Sequence, residues 1–102
     1  MAQEDLFAAW SIKRGCRRKY DVDCKPFLEG DTVAPGGFVI TPPAGCPVTF
    51  EPVSLFEGNT VAQFYANAPD DAAFGYYRCE VKITTVNGGG ESDKQYFQMR
   101  VE

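Results

Sequence analysis

The sequence predicts an all-β fold, and the strongest signal lies in its last third. From Tyr76 to Thr84 polar and apolar residues alternate, so one face of this strand is predicted to be buried and the other exposed. Residues 96–102 alternate in the same way, and Asn87-Gly88-Gly89-Gly90 between the two segments tolerates the positive φ of a hairpin turn. About seven short strands with frequent turn residues predict an immunoglobulin-like antiparallel β-sandwich.

The composition fits one globular domain. The 102 residues suffice for a single core, and a content of 44% hydrophobic and 14% aromatic residues excludes a disordered chain. No apolar run approaches the roughly 20 residues of a membrane span, so no membrane partner is expected. Glu4 and Asp5 lie where a signal peptide carries positive charge, which predicts synthesis and retention in the cytoplasm of the cell that makes the protein.

Residues 1–16 are predicted to form an N-terminal arm or a short helix, and residues 17–102 the sandwich. The arm is too apolar for a free tail, so it either packs on its own sandwich or docks on a partner, where aromatic anchors are favoured. Its apolar residues and the following arginines are the candidate partner contacts. They are Leu6, Phe7, Trp10, Ile12, Arg14, Arg17 and Arg18.

The remaining elements are short extended segments between turns. Strands are predicted over residues 17–24, 38–41, 48–50, 52–56 and 60–65, followed by the two strands of the closing hairpin. Turn residues such as Glu29-Gly30-Asp31 and Pro42-Pro43 separate these strands. Pro26 lacks the amide hydrogen that a central strand needs, so the residues around it are predicted to form a sheet edge or the end of a strand.

The charge is unevenly distributed along the chain. The net charge is −4, but residues 11–25 hold six cations against Asp21 and Asp23, which leaves −8 on the other residues. A basic segment on an acidic body suits an acidic neighbouring protein. Nucleic acid is not an expected partner, because the basic segment lacks interleaved aromatic residues and the acidic body repels a phosphate backbone.

The chain has four cysteines, Cys16, Cys24, Cys46 and Cys79, and no histidine. No C-x₂-C pair is present, so no metal site is predicted, and the three disulfide connectivities that four cysteines allow stay open. Cys79 fits a small buried apolar residue on the inner face of its strand. Cys16 lies among Arg14, Arg17 and Arg18, whose charge favours a thiolate, so it is the cysteine expected to react most readily. A late-forming disulfide or one between subunits is a further hypothesis for the four cysteines.

The sequence shows no catalytic pattern. Without histidine, the usual Ser-His and Cys-His nucleophile pairs are absent. Asp70-Asp71 has no calcium-loop spacing and is interpreted as a solvated turn. We therefore expect neither an enzyme nor a bound cofactor.

Two segments resemble the small Ig-like virion proteins of tailed bacteriophages, which include fibre–tail adaptors and neck and tail accessory proteins. The first covers residues 20–33, where the matching residues are Tyr20, Val22, Asp23, Phe27, Leu28, Gly30, Asp31 and Thr32, with Cys24 where an aromatic residue is usual. The second is Tyr77–Thr85, which ends in the Thr-Thr pair that precedes a glycine turn in the family. Residues 90–101 resemble the family's last strand.

The resemblance implies a non-enzymatic virion structural protein, an adaptor that bridges other phage structural proteins at the neck, tail or fibre attachment region, in a symmetric ring. It brings no catalytic residues. One alternative is a capsid decoration or cement protein, for which copy number is the discriminating quantity. Another is a carbohydrate- or receptor-binding adhesion module, in which Tyr65, Tyr76 and Tyr96 stack on sugars.

Overall fold

The computed structural model describes residues 6–87 and 94–102, and these form the predicted all-β sandwich. They contain eight strands and one short helix. The strands are β1 (Leu6–Ile12), β2 (Arg17–Asp23), β3 (Val33–Thr41), β4 (Thr49–Phe50), β5 (Ser54–Phe56), β6 (Val61–Asn67), β7 (Gly75–Thr85) and β8 (Lys94–Val101), and the helix α1 is Lys25–Leu28. The immunoglobulin-like sandwich predicted from the sequence is confirmed, with one strand more than expected.

The strands divide into two four-stranded sheets. The first, sheet A, has the order β1-β8-β7-β3, and the second, sheet B, has β6 in its interior, paired with β2, β4 and β5. Neighbours are antiparallel except β1 and β8, which run parallel from Leu6 beside Tyr96 to Ile12 beside Val101. The strictly antiparallel pattern that we predicted is therefore wrong at this one edge.

The sheets pack through an aromatic core. Phe64 on β6 and Phe97 on β8 are almost fully buried, and their ring centroids lie 6.2 Å apart across the two layers. Phe50 places its ring 5.8 Å from each of them at steep angles. Edge-to-face contacts of this kind add to the free energy of apolar burial. The core therefore joins both sheets at their centre.

The closing hairpin has the predicted alternation. Cys79, Val81 and Ile83 on β7 are buried, and Cys79 lies opposite Phe97 of β8. The polar set of β7 therefore faces outward, as the period of two requires. The predicted turn at Gly88–Gly90 lies outside the described residues.

The N-terminal segment differs from the predicted arm or helix. Leu6–Ile12 is strand β1, hydrogen-bonded to β8, and it completes one edge of sheet A. A boundary at residue 16 therefore does not separate an arm from the sandwich within the described residues. The physical reason is that seven residues cannot hold a helix alone, whereas the free edge of β8 supplies backbone partners along their whole length.

Pro26 lies in the first turn of the short helix rather than at the end of a strand. Lys25–Leu28 forms α1 with proline in its first turn, where the missing amide hydrogen has no cost. The helix stops at Glu29, whose φ is 49°, and Gly30 follows with φ of 86°. This segment carries the chain from sheet B toward sheet A and presents Phe27 to the edge of the core.

The sandwich has two ends, which we name for later use. The C-terminal end holds the last residues of β1, β6 and β8 and the connections 13–16, 42–48 and 68–74. The hairpin end holds α1, residues 29–32, the turn 57–60 and residues 86–87. No helix in the described part of the chain is long and apolar enough to cross a membrane.

Candidate interaction surfaces

The apolar residues predicted for partner contact are mostly packed inside their own sandwich. Ile12 has no exposed surface, so it is wrong as a contact residue in the folded chain. Trp10 stacks on Tyr20 with centroids 4.8 Å apart and lies 4.9 Å from Phe97. The Tyr20 hydroxyl donates a 2.7 Å hydrogen bond to the carbonyl of Ser11, which fixes β1 across the two sheets.

The other two apolar contact residues, Leu6 and Phe7, behave differently from each other. Phe7 places its ring 5.7 Å from Phe27 and 5.9 Å from Phe97, and it is half-buried at the hairpin end. Leu6 is 40% exposed beside Tyr96. Of the four apolar contact residues, Leu6 is therefore the one that retains substantial exposed surface.

The predicted basic cluster is split by the fold. Arg17 forms a two-point ion pair with Glu51, at 2.6 Å from Nε and 2.8 Å from Nη2. Its guanidinium lies 3.7 Å from the ring centre of Tyr65 on the outer face of sheet B. These hydrogen bonds hold the pKa of Glu51 at about 2, well below its usual value, with a further contribution from the side chain of Asn67. Arg17 is thus engaged within the chain.

Arg14 and Arg18 have different surroundings. Arg14 lies 4.5 Å from the ring centre of Phe74 and donates from Nε to the carbonyl of Asp70 at 3.0 Å. Arg18 reaches the carbonyl of Ser11 at 3.4 Å and lies 5.9 Å from the ring of Tyr20. The turn that places Arg14 favours glycine at position 15, because its φ of 76° lies in the left-handed region that side chains rarely adopt.

An exposed surface at the C-terminal end combines Arg14 and Tyr76, which the sequence indicated for different roles, with two residues that it did not indicate. Phe74 and Tyr76 are 65% and 64% exposed, and Arg100 lies 5.7 Å from the ring centre of Tyr76. We call Arg14, Phe74, Tyr76 and Arg100 the arginine–aromatic corner. An open groove of about 420 Å³ runs along it, bordered by Val101 and Glu102. Arginine and large aromatic residues are the types enriched where protein partners bind.

The tyrosines proposed for sugar stacking each carry an arginine. Arg17 covers Tyr65, Arg78 lies 5.0 Å from the ring centre of Tyr96, and Arg100 lies over Tyr76. A sugar that stacks on these rings has only their other faces. Tyr76 alone among them is exposed by more than half.

The four cysteines are free thiols in distinct environments. Cys16 is exposed, Cys24 and Cys79 are buried, and Cys46 is half-buried. The Cys46 and Cys79 thiols interact with each other. Burial, and to a smaller extent the interaction with Cys46, raises the pKa of Cys79 to about 12. Burial likewise raises the pKa of Cys24 to about 11. No disulfide links these four cysteines in the structure, and the three predicted connectivities stay open.

The two segments that resemble the phage family meet at the hairpin end. Asp31 accepts hydrogen bonds from the amide of Thr32 at 2.7 Å and from the amide of Asn87 at 2.8 Å. The amide of Val86 in turn bonds to the carbonyl of Thr32 at 3.0 Å. The Thr32 amide, with these neighbours, lowers the pKa of Asp31. The matching residues Asp31 and Thr32 thus hold the hairpin end of the sandwich closed, which is a structural role.

No group of three or more potential metal ligands converges within residues 6–87 and 94–102. Asp70 and Asp71 lie exposed in the 68–74 connection. The backbone carbonyl of Asp70 accepts the hydrogen bond from Arg14 described above.

Comparison with known proteins supports the fold class. No family model and no curated protein sequence matches the chain. A cysteine protease inhibitor from Entamoeba histolytica superimposes with a TM-score of 0.54 at 10% identity, over 95% of this chain and 87% of the inhibitor. An endo-fucoidan hydrolase of glycoside hydrolase family 107 gives a TM-score of 0.53 at 11% identity, over 95% of this chain and 12% of the enzyme.

Identities this low show a shared fold alone, because one sandwich architecture carries many unrelated functions. The fold and the exposed surface together define the class of protein as an immunoglobulin-like β-sandwich with an exposed arginine–aromatic corner. Its function has to be argued from that surface.

Proposed function

We propose that this chain is a non-enzymatic structural subunit of a tailed-bacteriophage particle, an Ig-like adaptor at the neck, tail or fibre attachment region. In that role it bridges other structural proteins of the particle, as the resemblance of residues 20–33 and 77–85 suggests. The virion is then its location, and other virion proteins are its partners.

The observation that carries the proposal is the arginine–aromatic corner. Phe74 and Tyr76 expose about two thirds of their surface at one end of a rigid sheet, and Arg14 and Arg100 lie over them. Burying such rings on a neighbour gains roughly 25 cal/mol per Å² of apolar surface. The arginines orient the partner through hydrogen bonds to its carboxylates or carbonyls.

The mechanism is passive and depends on rigidity. Tyr76 and Arg100 lie directly opposite each other on β7 and β8, so their relative position is set by the register of the sheet. A preorganised surface loses little side-chain entropy when it binds. Repetition of the same contact around a symmetric ring multiplies weak individual affinities.

The absolute copy number in purified particles tests the proposal, measured by quantitative mass spectrometry. A count on the order of a dozen is expected for a ring at the neck or tail. A count in the hundreds favours the alternative of a capsid decoration protein. Absence of the chain from particles contradicts both and leaves the adhesion module, which glycan-binding measurements then test.

Variants of the corner test its role directly. Phe74→Ser and Tyr76→Ser should lower incorporation into particles at least about tenfold, because central aromatic residues dominate interface energies. Val86→Ser is the matched control, since Val86 is 54% exposed but lies at the hairpin end. Equal incorporation of all three variants contradicts the assignment of the corner.

A further inference from the structure

The outer face of sheet A carries two lysines at the hairpin end, one of which has no ion pair in the described part of the chain. Lys82 of β7 and Lys94 of β8 lie directly opposite each other. Like charges in this arrangement destabilise a sheet. Glu80 reaches only Lys94, at 3.6 Å, and Lys82 has no ion-pair partner within residues 6–87 and 94–102. Val39, which is 49% exposed, lies beside Lys82 on β3. We call Val39, Lys82 and Lys94 the basic patch.

The outer face of sheet B carries the opposite charge at the same end. Asp21 and Asp23 both point outward from β2, because Tyr20 and Val22 point inward. Asp21 accepts one hydrogen bond from Gln63, and neither carboxylate has an ion pair in the described part of the chain. Phe56 of β5 is 47% exposed in the same outward row. We call Asp21, Asp23 and Phe56 the acidic patch.

The two patches match in composition and position. Each has two like charges and one large apolar side chain that is about half exposed. They lie at the same end of the sandwich on its two opposite faces. When two copies stack in the same orientation, the face that bears the lysines of one copy therefore meets the face that bears the aspartates of the next.

The shape of the molecule suits such stacking. Its principal extents are 42 × 35 × 18 Å, so the domain is a slab whose broad faces are the outer surfaces of the two sheets. A face of this size exceeds the roughly 800 Å² per partner that a stable interface buries. The arginine–aromatic corner lies at the other end of the slab and stays available for a different subunit.

We propose that a second copy of this chain binds the basic patch through its own acidic patch. The contact joins different surfaces of the two copies, so it is heterologous and repeats from copy to copy. The series closes into a ring when the rotation between successive copies completes a full turn, and it otherwise extends as an open filament. This last step rests on the proposed function, in which the chain forms a ring, whereas the contact itself is a property of the purified protein.

Charge reversal with rescue tests the contact by sedimentation velocity of the full chain over a concentration series. Lys82→Glu and Asp21→Lys should each weaken self-association about tenfold. The combined variant keeps the net charge of −4 and exchanges the two signs, so its self-association should return toward the wild-type level. Salt of about 1 M, where the Debye length is about 3 Å, should weaken the wild-type contact.

Matched controls separate this contact from a general charge effect. Lys13→Glu and Asp71→Lys change the net charge by the same amounts in connections at the C-terminal end. They should leave self-association unchanged. A wild-type chain that is monomeric throughout, equal losses in the control variants, or no rescue in the combined variant would each overturn the proposal.

The outcome is distinguishable from that of the proposed function. A monomeric chain that is nevertheless present in particles overturns the stacking contact and leaves the virion assignment intact. A chain that self-associates through the patches but is absent from particles overturns the virion assignment and leaves the stacking contact intact. Loss of particle incorporation in Lys82→Glu without any self-association in the wild type overturns the second copy as occupant and assigns the basic patch to another protein.

Discussion

The N-terminal strand and the arginine–aromatic corner are both rich in large apolar side chains, but the fold uses them in opposite ways. In β1, Trp10 lies against Tyr20 and Phe97, and Ile12 is fully buried. At the corner, Phe74 and Tyr76 keep 65% and 64% of their surface exposed. Residue type therefore did not distinguish a core element from an interaction surface.

The difference arises from what each segment lies next to. β1 has a free sheet edge beside it, and it gains backbone hydrogen bonds to β8 together with apolar burial. Phe74 comes at the end of the 68–74 connection and precedes a strand whose inner face is already filled by Cys79, Val81 and Ile83. The guanidinium of Arg14 lies over its ring, which stays 65% exposed.

Of the changes within the two regions compared, the largest effect should come from truncating β1 at its buried end. Ile12→Ala should lower the free energy of unfolding by about 3 kcal/mol, because it leaves a cavity in a fully buried site. Chemical denaturation monitored by the fluorescence of Trp10, the one tryptophan of the chain, measures this change. Leu6→Ala is the control within the same strand. If both variants cost equally little, β1 is not the core strand described above.

The comparison also shows which parts of the fold were predictable. The alternation of residues 76–84 was sufficient to assign the inner and outer faces of β7, and every predicted inward residue from Cys79 to Ile83 is buried. LFAAWSI has no such alternation, so its strand character was hidden. Its parallel pairing places Leu6 beside Tyr96, which is far away along the chain. A pairing between such distant residues cannot be predicted from a local sequence pattern.

The corner was unpredictable for the same physical reason. Its members come from the 13–16 turn, the 68–74 connection, β7 and β8, and only the register of the sheet brings them together. The basic cluster of residues 14–18 was visible in the sequence, but its partners were not. Glu51 lies 34 residues from Arg17 along the chain. Local sequence therefore predicts strand faces better than it predicts contacts between distant segments.

A smaller effect is expected when Phe74 is truncated. Phe74→Ala should change the free energy of unfolding by about 0.5 kcal/mol, because the ring is 65% exposed and its contact with Arg14 is a surface one. Phe64→Ala is the matched control in the core, and it should cost about 4 kcal/mol. A large loss of stability in Phe74→Ala would mean that the ring supports the fold and is not reserved for a partner.

The smallest effect concerns the ion pair on the opposite sheet. Arg17 and Asn67 hold the pKa of Glu51 at about 2, below its ordinary 4.5. A lowered folded pKa contributes stability above the unfolded pKa and loses it as the pH falls, so the contribution should disappear between about pH 4.5 and pH 2. Denaturation midpoints of wild type and Glu51→Gln should therefore differ near neutral pH and converge near pH 2. Glu57→Gln, a change in an exposed turn, should show no such convergence, and parallel profiles for Glu51→Gln and wild type would rule out a stabilising role for the Arg17 pair.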